Sequence, residues 1–156
     1  MNNVTAGTSA TTFSPNAHCS RAQVVTFLWR AAGSPEPVST TNPSTDVPAN
    51  SYYKTAVLWA VENGITAGTG ANKFSPNATC TRAQIVTFLW AYAGRPEAVT
   101  GQNPFEDVKD GEYYANAVLW AFEHGITAGT SASSFGTDTV CSRAQVVTFL
   151  YRMIAR

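Results

Sequence analysis

The chain has 156 residues, 44% of them hydrophobic, which is enough for one compact domain with a buried core. Only 13% are charged, and ten basic residues balance ten acidic ones, so no net charge would steer the chain onto nucleic acid or an anionic membrane. No stretch approaches the ~20 apolar residues of a membrane-spanning helix, so we expect no membrane insertion.

A unit of 61 residues is repeated along the chain. Cys19, Cys80 and Cys141 are separated by that interval, and each precedes a Ser/Thr-Arg-Ala-Gln tetrapeptide. A second block, Tyr-Tyr followed by Ala-Val-Leu-Trp-Ala, starts at residues 52 and 113, and its first copy is absent. We therefore expect a partial repeat at 1–36 and complete repeats at 37–97 and 98–156, which together form one compact domain.

The repeat predicts five helices of two kinds, and hence an all-α fold. The first kind starts after Ser20, which forms a capping box with Gln23, and it recurs after the other two cysteines. The second kind is predicted from Ala56 and Val57 in the Tyr-Tyr block, which lie on one helical face. Gly64 suits the left-handed position that ends this second helix.

An arginine is the first residue inside each helix of the first kind: Arg21, Arg82 and Arg143. A cation there opposes the helix dipole and costs up to ~1 kcal/mol, so stability alone does not explain it. Amide groups at a helix start attract anions, and a guanidinium adds bidentate recognition of a carboxylate or phosphate. The alternative is that each arginine pairs with an acidic residue of a neighbouring repeat, such as Asp46 or Asp107.

The cysteines and histidines indicate no further chemistry. Three cysteines cannot all pair, and repeat symmetry is expected to hold them far apart. His18 and His124 do not recur in the other copies, and no nucleophile pattern accompanies them. No metal-ligand spacing, nucleotide loop or calcium loop occurs, so we expect no enzyme activity, no metal and no cofactor.

Several blocks together carry a family resemblance: Phe105-Glu106-Asp107-Val108, Tyr113-Tyr114, Ala117 to Trp120, Gly125-Ile126, Gly129, Phe135 and Ser142-Arg143-Ala144-Gln145. They resemble the S-layer homology (SLH) repeat, whose diagnostic element is a Thr-Arg-Ala-Glu-like tetrapeptide. That element stands here three times at constant spacing, and the resemblance covers practically the whole chain.

The resemblance implies a pseudo-threefold bundle of two-helix repeats with long connecting loops. It also implies a non-catalytic module that anchors a protein to the cell wall, typically of Gram-positive bacteria, by binding pyruvylated or otherwise acidic secondary cell-wall polysaccharide. The protein would then work outside the cell, at the bacterial surface. Residues 1–12 are polar and have no signal-peptide core, so we expect the export signal to be absent from this sequence.

Tryptophan could offer a flat face to a sugar ring, although core packing is an equal alternative, whereas Tyr52 and Tyr113 are interpreted as packing or rim residues. The candidate polysaccharide-binding residues are Arg21, Arg82, Arg143, Trp59, Trp120, Gly68, Gly129, Asp46, Asp107 and Gln84.

The absent first helix predicts an exposed apolar groove, through which the chain could form a homo-oligomer, and it puts the groove at Arg21 in doubt. The alternative function is therefore a structural or protein-interaction scaffold that self-associates through the repeat surface. On the anchoring hypothesis, Arg82→Ala weakens polysaccharide binding and leaves the melting temperature almost unchanged. On the scaffold hypothesis, the same substitution lowers stability sharply.

Overall fold

The computed structural model describes residues 3–155. Its helices are α1 (Arg21–Ala31), α2 (Lys54–Glu62), α3 (Arg82–Tyr92), α4 (Ala115–Glu123) and α5 (Arg143–Ile154). Over the described residues there are five helices and no strand, so the prediction of an all-α fold is confirmed. Within that range no helix has the length and apolar character that crossing a bilayer requires.

Capping boxes start α1, α3 and α5, as the sequence predicts. At α1, the Ser20 hydroxyl accepts the amide of Gln23 at 3.2 Å, and the Gln23 side chain accepts the amide of Ser20 at 3.0 Å. The same reciprocal bonds start α3 and α5. These helices therefore begin at a fixed residue, which places each arginine at the first helical position.

The two helices from the Tyr-Tyr block end as predicted. Gly64 follows α2 with φ +65°, a conformation that glycine adopts without a steric penalty. The amide of Ile65 then donates to the carbonyl oxygen of Ala60 at 2.8 Å, and Ile65 packs into the core. Gly125 repeats this ending after α4.

The three cysteines meet at the centre of the fold. The amide of Cys19 donates to the carbonyl oxygen of Cys141, that of Cys80 to Cys19, and that of Cys141 to Cys80, at 3.0–3.1 Å. The expectation that repeat symmetry holds the cysteines far apart was therefore wrong, because the symmetry axis passes between them. All three are free thiols, and burial raises their pKa values to about 11 for Cys19 and Cys141 and about 12 for Cys80.

Helices α1, α3 and α5 pack around this axis, while α2 covers α1 and α4 covers α3. The α2 and α4 helices seal the outer faces of their partners, so Val25 and Val86 are fully buried. On α5 the equivalent Val147 is only half-buried, and Tyr151 is 72% exposed. An apolar groove of ≈ 300 Å³ lies along α5, as predicted.

Candidate functional site: the arginine grooves

Each arginine reaches from its own helix into the loop of the next repeat. The Nε of Arg21 donates to the carbonyl oxygen of Phe74 at 2.9 Å, and its Nη2 donates to the hydroxyl of Thr66 at 3.3 Å. Arg82 makes the same two bonds with Phe135 and Thr127. The arginines thus connect successive repeats through backbone carbonyls.

The third arginine, Arg143, joins the last repeat to the first. The Nε of Arg143 donates to the carbonyl oxygen of Phe13 at 3.0 Å, and its Nη2 donates to that of Ala6 at 2.8 Å. The last helix is therefore joined to the first loop by the same contact that joins the other neighbours. This cyclic arrangement is the pseudo-threefold relationship that the resemblance implies.

Two phenyl rings enclose each guanidinium group. The Cζ of Arg21 lies 5.0 Å from the ring centre of Phe74 and 5.2 Å from that of Phe88, within the range of a cation–π interaction. Arg82 and Arg143 have equivalent pairs of rings. The three side chains are 3–6% exposed, and burial lowers the pKa of Arg21 and Arg82. Arginine keeps its charge under such a shift because its ordinary pKa is so high.

The amides at the helix starts are already bonded. The amide of Arg21 donates to the carbonyl oxygen of Ala78 at 2.8 Å, and that of Ala22 donates to Pro76 at 3.0 Å. Equivalent bonds cover the starts of α3 and α5. The expectation of amides free to bind an anion was wrong, because the loop of the next repeat passes over each helix start.

Asp46 and Asp107 hold the loops and do not pair with the arginines. The carboxylate of Asp46 accepts the amides of Phe74 and Ser75 at 2.9 and 2.8 Å, and Asp107 does the same at Phe135 and Gly136. Burial raises the pKa of each carboxyl, but these hydrogen bonds outweigh it, so both pKa values lie below the ordinary value. Within residues 3–155, no arginine of the three donates to a carboxylate.

One edge of each guanidinium group makes no hydrogen bond to the protein within residues 3–155. In every hydrogen bond that the three groups make within residues 3–155, the donor atom is Nε or Nη2. In none of them is the donor Nη1. Over the same residues, no buried side-chain nitrogen or oxygen lacks a partner. It follows that the three Nη1 atoms are not fully enclosed, although the side chains as a whole are only 3–6% exposed. A charged donor of this kind can bind an anion.

A groove of ≈ 490 Å³ opens at Arg21. The loop that contains Gly68 forms one wall, the α3 residues Gln84 and Thr87 form another, and Tyr113 stands at the rim with 61% of its surface exposed. Arg21, Gly68 and Gln84 from the candidate set therefore lie together. The lining combines hydroxyl and amide groups with two aromatic side chains, those of Phe88 and Tyr113.

A second groove, of ≈ 320 Å³, opens at Arg143 and is built from the equivalent positions with the addition of Arg30. Gly7 occupies the place of Gly68, Gln23 that of Gln84, and Tyr52 that of Tyr113. Gly7 and Gln23 were not among the candidate residues, although they lie one 61-residue interval before Gly68 and Gln84. Both tyrosines are more exposed than a packing role requires.

The site at Arg82 differs from the other two over residues 3–155. Its α5 wall carries Thr148, which is exposed, whereas the equivalent Thr26 of α1 is buried. No tyrosine within residues 3–155 takes the place that Tyr52 and Tyr113 take in the other two grooves. The expectation that the groove at Arg21 is in doubt was wrong, because the loop with Gly68, the α3 residue Gln84 and Tyr113 form its walls and rim.

The loop glycines leave no space for a side chain. A Cβ on Gly68, which has φ +87°, would lie 2.2 Å from the carbonyl oxygen of Lys73. A Cβ on Gly129 or Gly7 would lie 2.4 Å from a loop carbonyl oxygen. Glycine at these positions lets the loop turn back on itself beside the arginine.

Trp59 and Trp120 lie in the core and line neither of the grooves at Arg21 and Arg143. The ring of Trp59 packs 6.0 Å from that of Tyr92, and the ring of Trp120 lies 5.5 Å from that of His124. The periodicity of α2 and α4 places these side chains beside the buried stripe, which was the alternative left open.

The geometry defines a helical repeat domain with symmetry-related arginine grooves between its repeats. The model of the S-layer homology domain matches residues 45–86 and 104–147, which is more than half of the chain. The chain belongs to the S-layer homology domain family.

Curated relatives match with moderate identity. A cell surface protein of Thermoanaerobacter kivui is 36% identical over 46% of this chain, and a surface-layer 125 kDa protein of Lysinibacillus sphaericus is 32% identical over 64%. An endoglucanase of Bacillus sp. (strain KSM-635) is 30% identical over 78% of the chain. The chain spans only 9%, 8% and 13% of the lengths of these relatives, respectively.

Proposed function

We propose that this chain is a non-catalytic module that anchors a protein to the bacterial cell wall, outside the cell, by binding an acidic secondary cell-wall polysaccharide of the pyruvylated type. Family membership supports this proposal, as do relatives named as cell surface and surface-layer proteins. The enzymes among the relatives match this chain over a small part of their own length, which supports a role beside a catalytic domain.

The observation that carries the proposal is the available Nη1 edge of Arg21 and Arg143, each beside an open groove. A carboxylate on a sugar would accept a charge-assisted hydrogen bond from this edge, worth about 1.5–3 kcal/mol. No protein carboxylate takes that place among residues 3–155, so a ligand would not have to displace an ion pair.

The lining of the grooves suits a carbohydrate. Thr69 and Thr87 in one groove, and Thr8 in the other, line the walls with hydroxyl groups, and each groove also contains an exposed tyrosine. A sugar ring has one apolar face and several hydroxyl groups, so it can stack on the tyrosine while its hydroxyl groups find partners. Two grooves on one polymer would give avidity beyond that of either groove alone.

The test compares two forms of one polymer. Purified peptidoglycan-linked polysaccharide is titrated with the chain before and after mild acid removes its pyruvyl groups. We expect affinity to fall at least tenfold after removal, because the carboxylate partner is lost. Tyr52→Ala with Tyr113→Ala should also weaken binding, whereas Tyr151→Ala, on an exposed site outside both grooves, should not. Equal binding of the two polymer forms would overturn the proposal.

A second candidate function is a scaffold that self-associates, favoured by the apolar groove along α5 and by the arginine contacts that join the repeats. Sedimentation across a hundredfold range of protein concentration separates the two functions. A mass that rises with concentration would support the scaffold, and a constant monomer mass would contradict it.

A further inference from the structure

The two arginine grooves share most of their wall positions but differ in charge. Arg30, in the last turn of α1, lines the groove at Arg143 as a second cation. The equivalent residue of α3 is Ala91, which is 6% exposed and does not line the groove at Arg21. Within residues 3–155, no acidic side chain lines either groove. The groove at Arg143 therefore has two positive charges, and the groove at Arg21 has one.

The half-buried side chain of Arg30 is not engaged by the protein part that the structure describes. The arginine side chains that donate hydrogen bonds within residues 3–155 belong to positions 21, 82, 95, 143 and 152. Arg152 has the same repeat position on α5, and its Nη1 donates to the carbonyl oxygen of Ile126 at 3.5 Å. A cation in the last turn also favours the helix dipole, but this role does not direct the side chain into a groove.

The position of Arg30 on α1 brings it close to Arg143. The guanidinium carbon of Arg143 lies 5.3 Å from the ring centre of Phe27, and Arg30 follows Phe27 by about one helical turn. Gln23, Thr26, Phe27 and Arg30 recur at three-four spacing, so one face of α1 forms this wall of the groove. The two cations can therefore act on one short segment of a bound saccharide.

The tyrosine at the rim of this groove lies in the field of both cations. Burial raises the pKa of the Tyr52 hydroxyl, and the positive charges of Arg143 and Arg30 oppose that rise. A positive charge lowers the pKa of a phenol because it favours the negatively charged form. The side chain of Arg30 is thus close enough to the rim to act on a group that lies there.

The rim of the groove at Arg21 has the opposite character. Burial raises the pKa of the Tyr113 hydroxyl, the negative charge of Asp138 adds to the rise, and only one arginine, Arg21, opposes it. One repeat earlier, the residue equivalent to Asp138 is Asn77, which has no charge. A second negative group on a ligand would therefore meet repulsion at this rim and attraction at the other.

We propose that the groove at Arg143 selects a saccharide segment with two acidic groups, and that Arg30 recognises the second of them. The groove at Arg21 binds a segment with a single acidic group. This inference rests on the proposed function, because it takes the first acidic group to bind at Arg143. The second group is a carboxylate or a phosphate on the same sugar or on its neighbour, since either accepts a charge-assisted hydrogen bond from a guanidinium.

The test compares two disaccharides that contain the same pyruvylated sugar. The neighbouring sugar is a neutral hexose in one and the corresponding uronic acid in the other, so the pair differs by one carboxylate. The intact chain is titrated with each, and the side-chain nitrogen resonances of Arg143 and Arg21 give the affinity of each groove by NMR. We expect the added carboxylate to raise affinity about tenfold at Arg143, and less than about twofold at Arg21.

Variants assign the effect to Arg30. Arg30→Gln should reduce the gain at Arg143 to less than about twofold, and Arg30→Lys should retain part of it, because the positive charge remains. Arg152→Gln, which removes a cation from the same repeat position on α5, should leave the gain unchanged. A third disaccharide, with a phosphate ester in place of the second carboxylate, identifies the preferred group, and a larger gain with it would support the inference for phosphate.

The outcomes separate this inference from the proposed function. Equal affinity of all three disaccharides at Arg143 would overturn the inference and leave the proposed function standing. A gain that survives Arg30→Gln in full would also overturn it, because another residue would then recognise the second group. If none of the disaccharides binds in either groove, the proposed function is contradicted and the inference falls with it.

Discussion

The Nε of Arg143 donates a 3.0 Å hydrogen bond to the carbonyl oxygen of Phe13, which lies 130 residues earlier in the chain. This contact closes a ring that the Arg21–Phe74 and Arg82–Phe135 bonds begin. The arginines therefore join the repeats, and within residues 3–155 their Nη1 atoms take no part in these bonds.

Arg82→Ala is expected to destabilise the fold by about 2–4 kcal/mol, because it removes several charged hydrogen bonds and leaves the carbonyl oxygen of Phe135 without a donor. This replaces the expectation of an almost unchanged melting temperature. Urea denaturation measures the effect, with the exposed Arg95→Ala as the control. A loss no larger than that of the control would contradict the joining role.

Gly68→Ala and Gly94→Ala form a matched pair, because both glycines have φ +87°. Each alanine costs roughly 1–2 kcal/mol for the left-handed backbone. At Gly94 nothing lies within 4 Å of the added Cβ, whereas at Gly68 the carbonyl oxygen of Lys73 lies 2.2 Å away. We expect Gly68→Ala to lower the free energy of unfolding clearly more than Gly94→Ala. Equal losses in the free energy of unfolding would contradict this expectation, because the loop beside Arg21 would then accommodate the added Cβ without further cost.

Asp107 makes the fold sensitive to acid. Its pKa is lower in the folded chain than its ordinary value of 3.8, because the amide bonds outweigh burial. The unfolded chain therefore binds more protons as the pH falls, so this stability is complete above the ordinary pKa and is lost as the pH drops through the folded pKa. We expect Asp107→Asn to flatten the fall in unfolding free energy below about pH 4. An unchanged acid profile would contradict this.

The buried thiols make the fold sensitive to alkali. Their pKa values of about 11, 12 and 11 lie above the ordinary 9.0, so the unfolded chain loses protons first as the pH rises. Stability is complete below the ordinary pKa and falls as the pH rises towards these folded values. At pH 8, a thiol reagent should modify all three cysteines only at the rate of unfolding. Rapid modification of one cysteine in the folded chain would contradict this burial.

The local signals predicted the helices because caps and apolar stripes act within a few residues. Ser20 with Gln23, and Gly64 after α2, are examples in which neighbours in sequence decide the structure. The tertiary contacts could not be predicted from such local signals. The carbonyl oxygens that accept the amides of Arg21 and Ala22 belong to residues 78 and 76, and the cysteines meet only because three repeats close a ring.

The site was predicted in part for the same reason. The arginines were selected because a cation is unfavourable at a helix start, and the grooves do lie beside them. The burial of Trp59 and the exposure of Tyr113 depend on how α2 and α4 pack against their partners, which the period of a helix does not specify.

The most direct test of the central claim observes the guanidinium groups themselves. Labelled chain is titrated with a pyruvylated saccharide while the side-chain nitrogen resonances of its arginines are recorded by NMR. We predict saturable shifts at Arg21 and Arg143, a smaller response at Arg82, and none at the exposed Arg95. Binding of the saccharide with no shift at Arg21 or Arg143 would contradict the account.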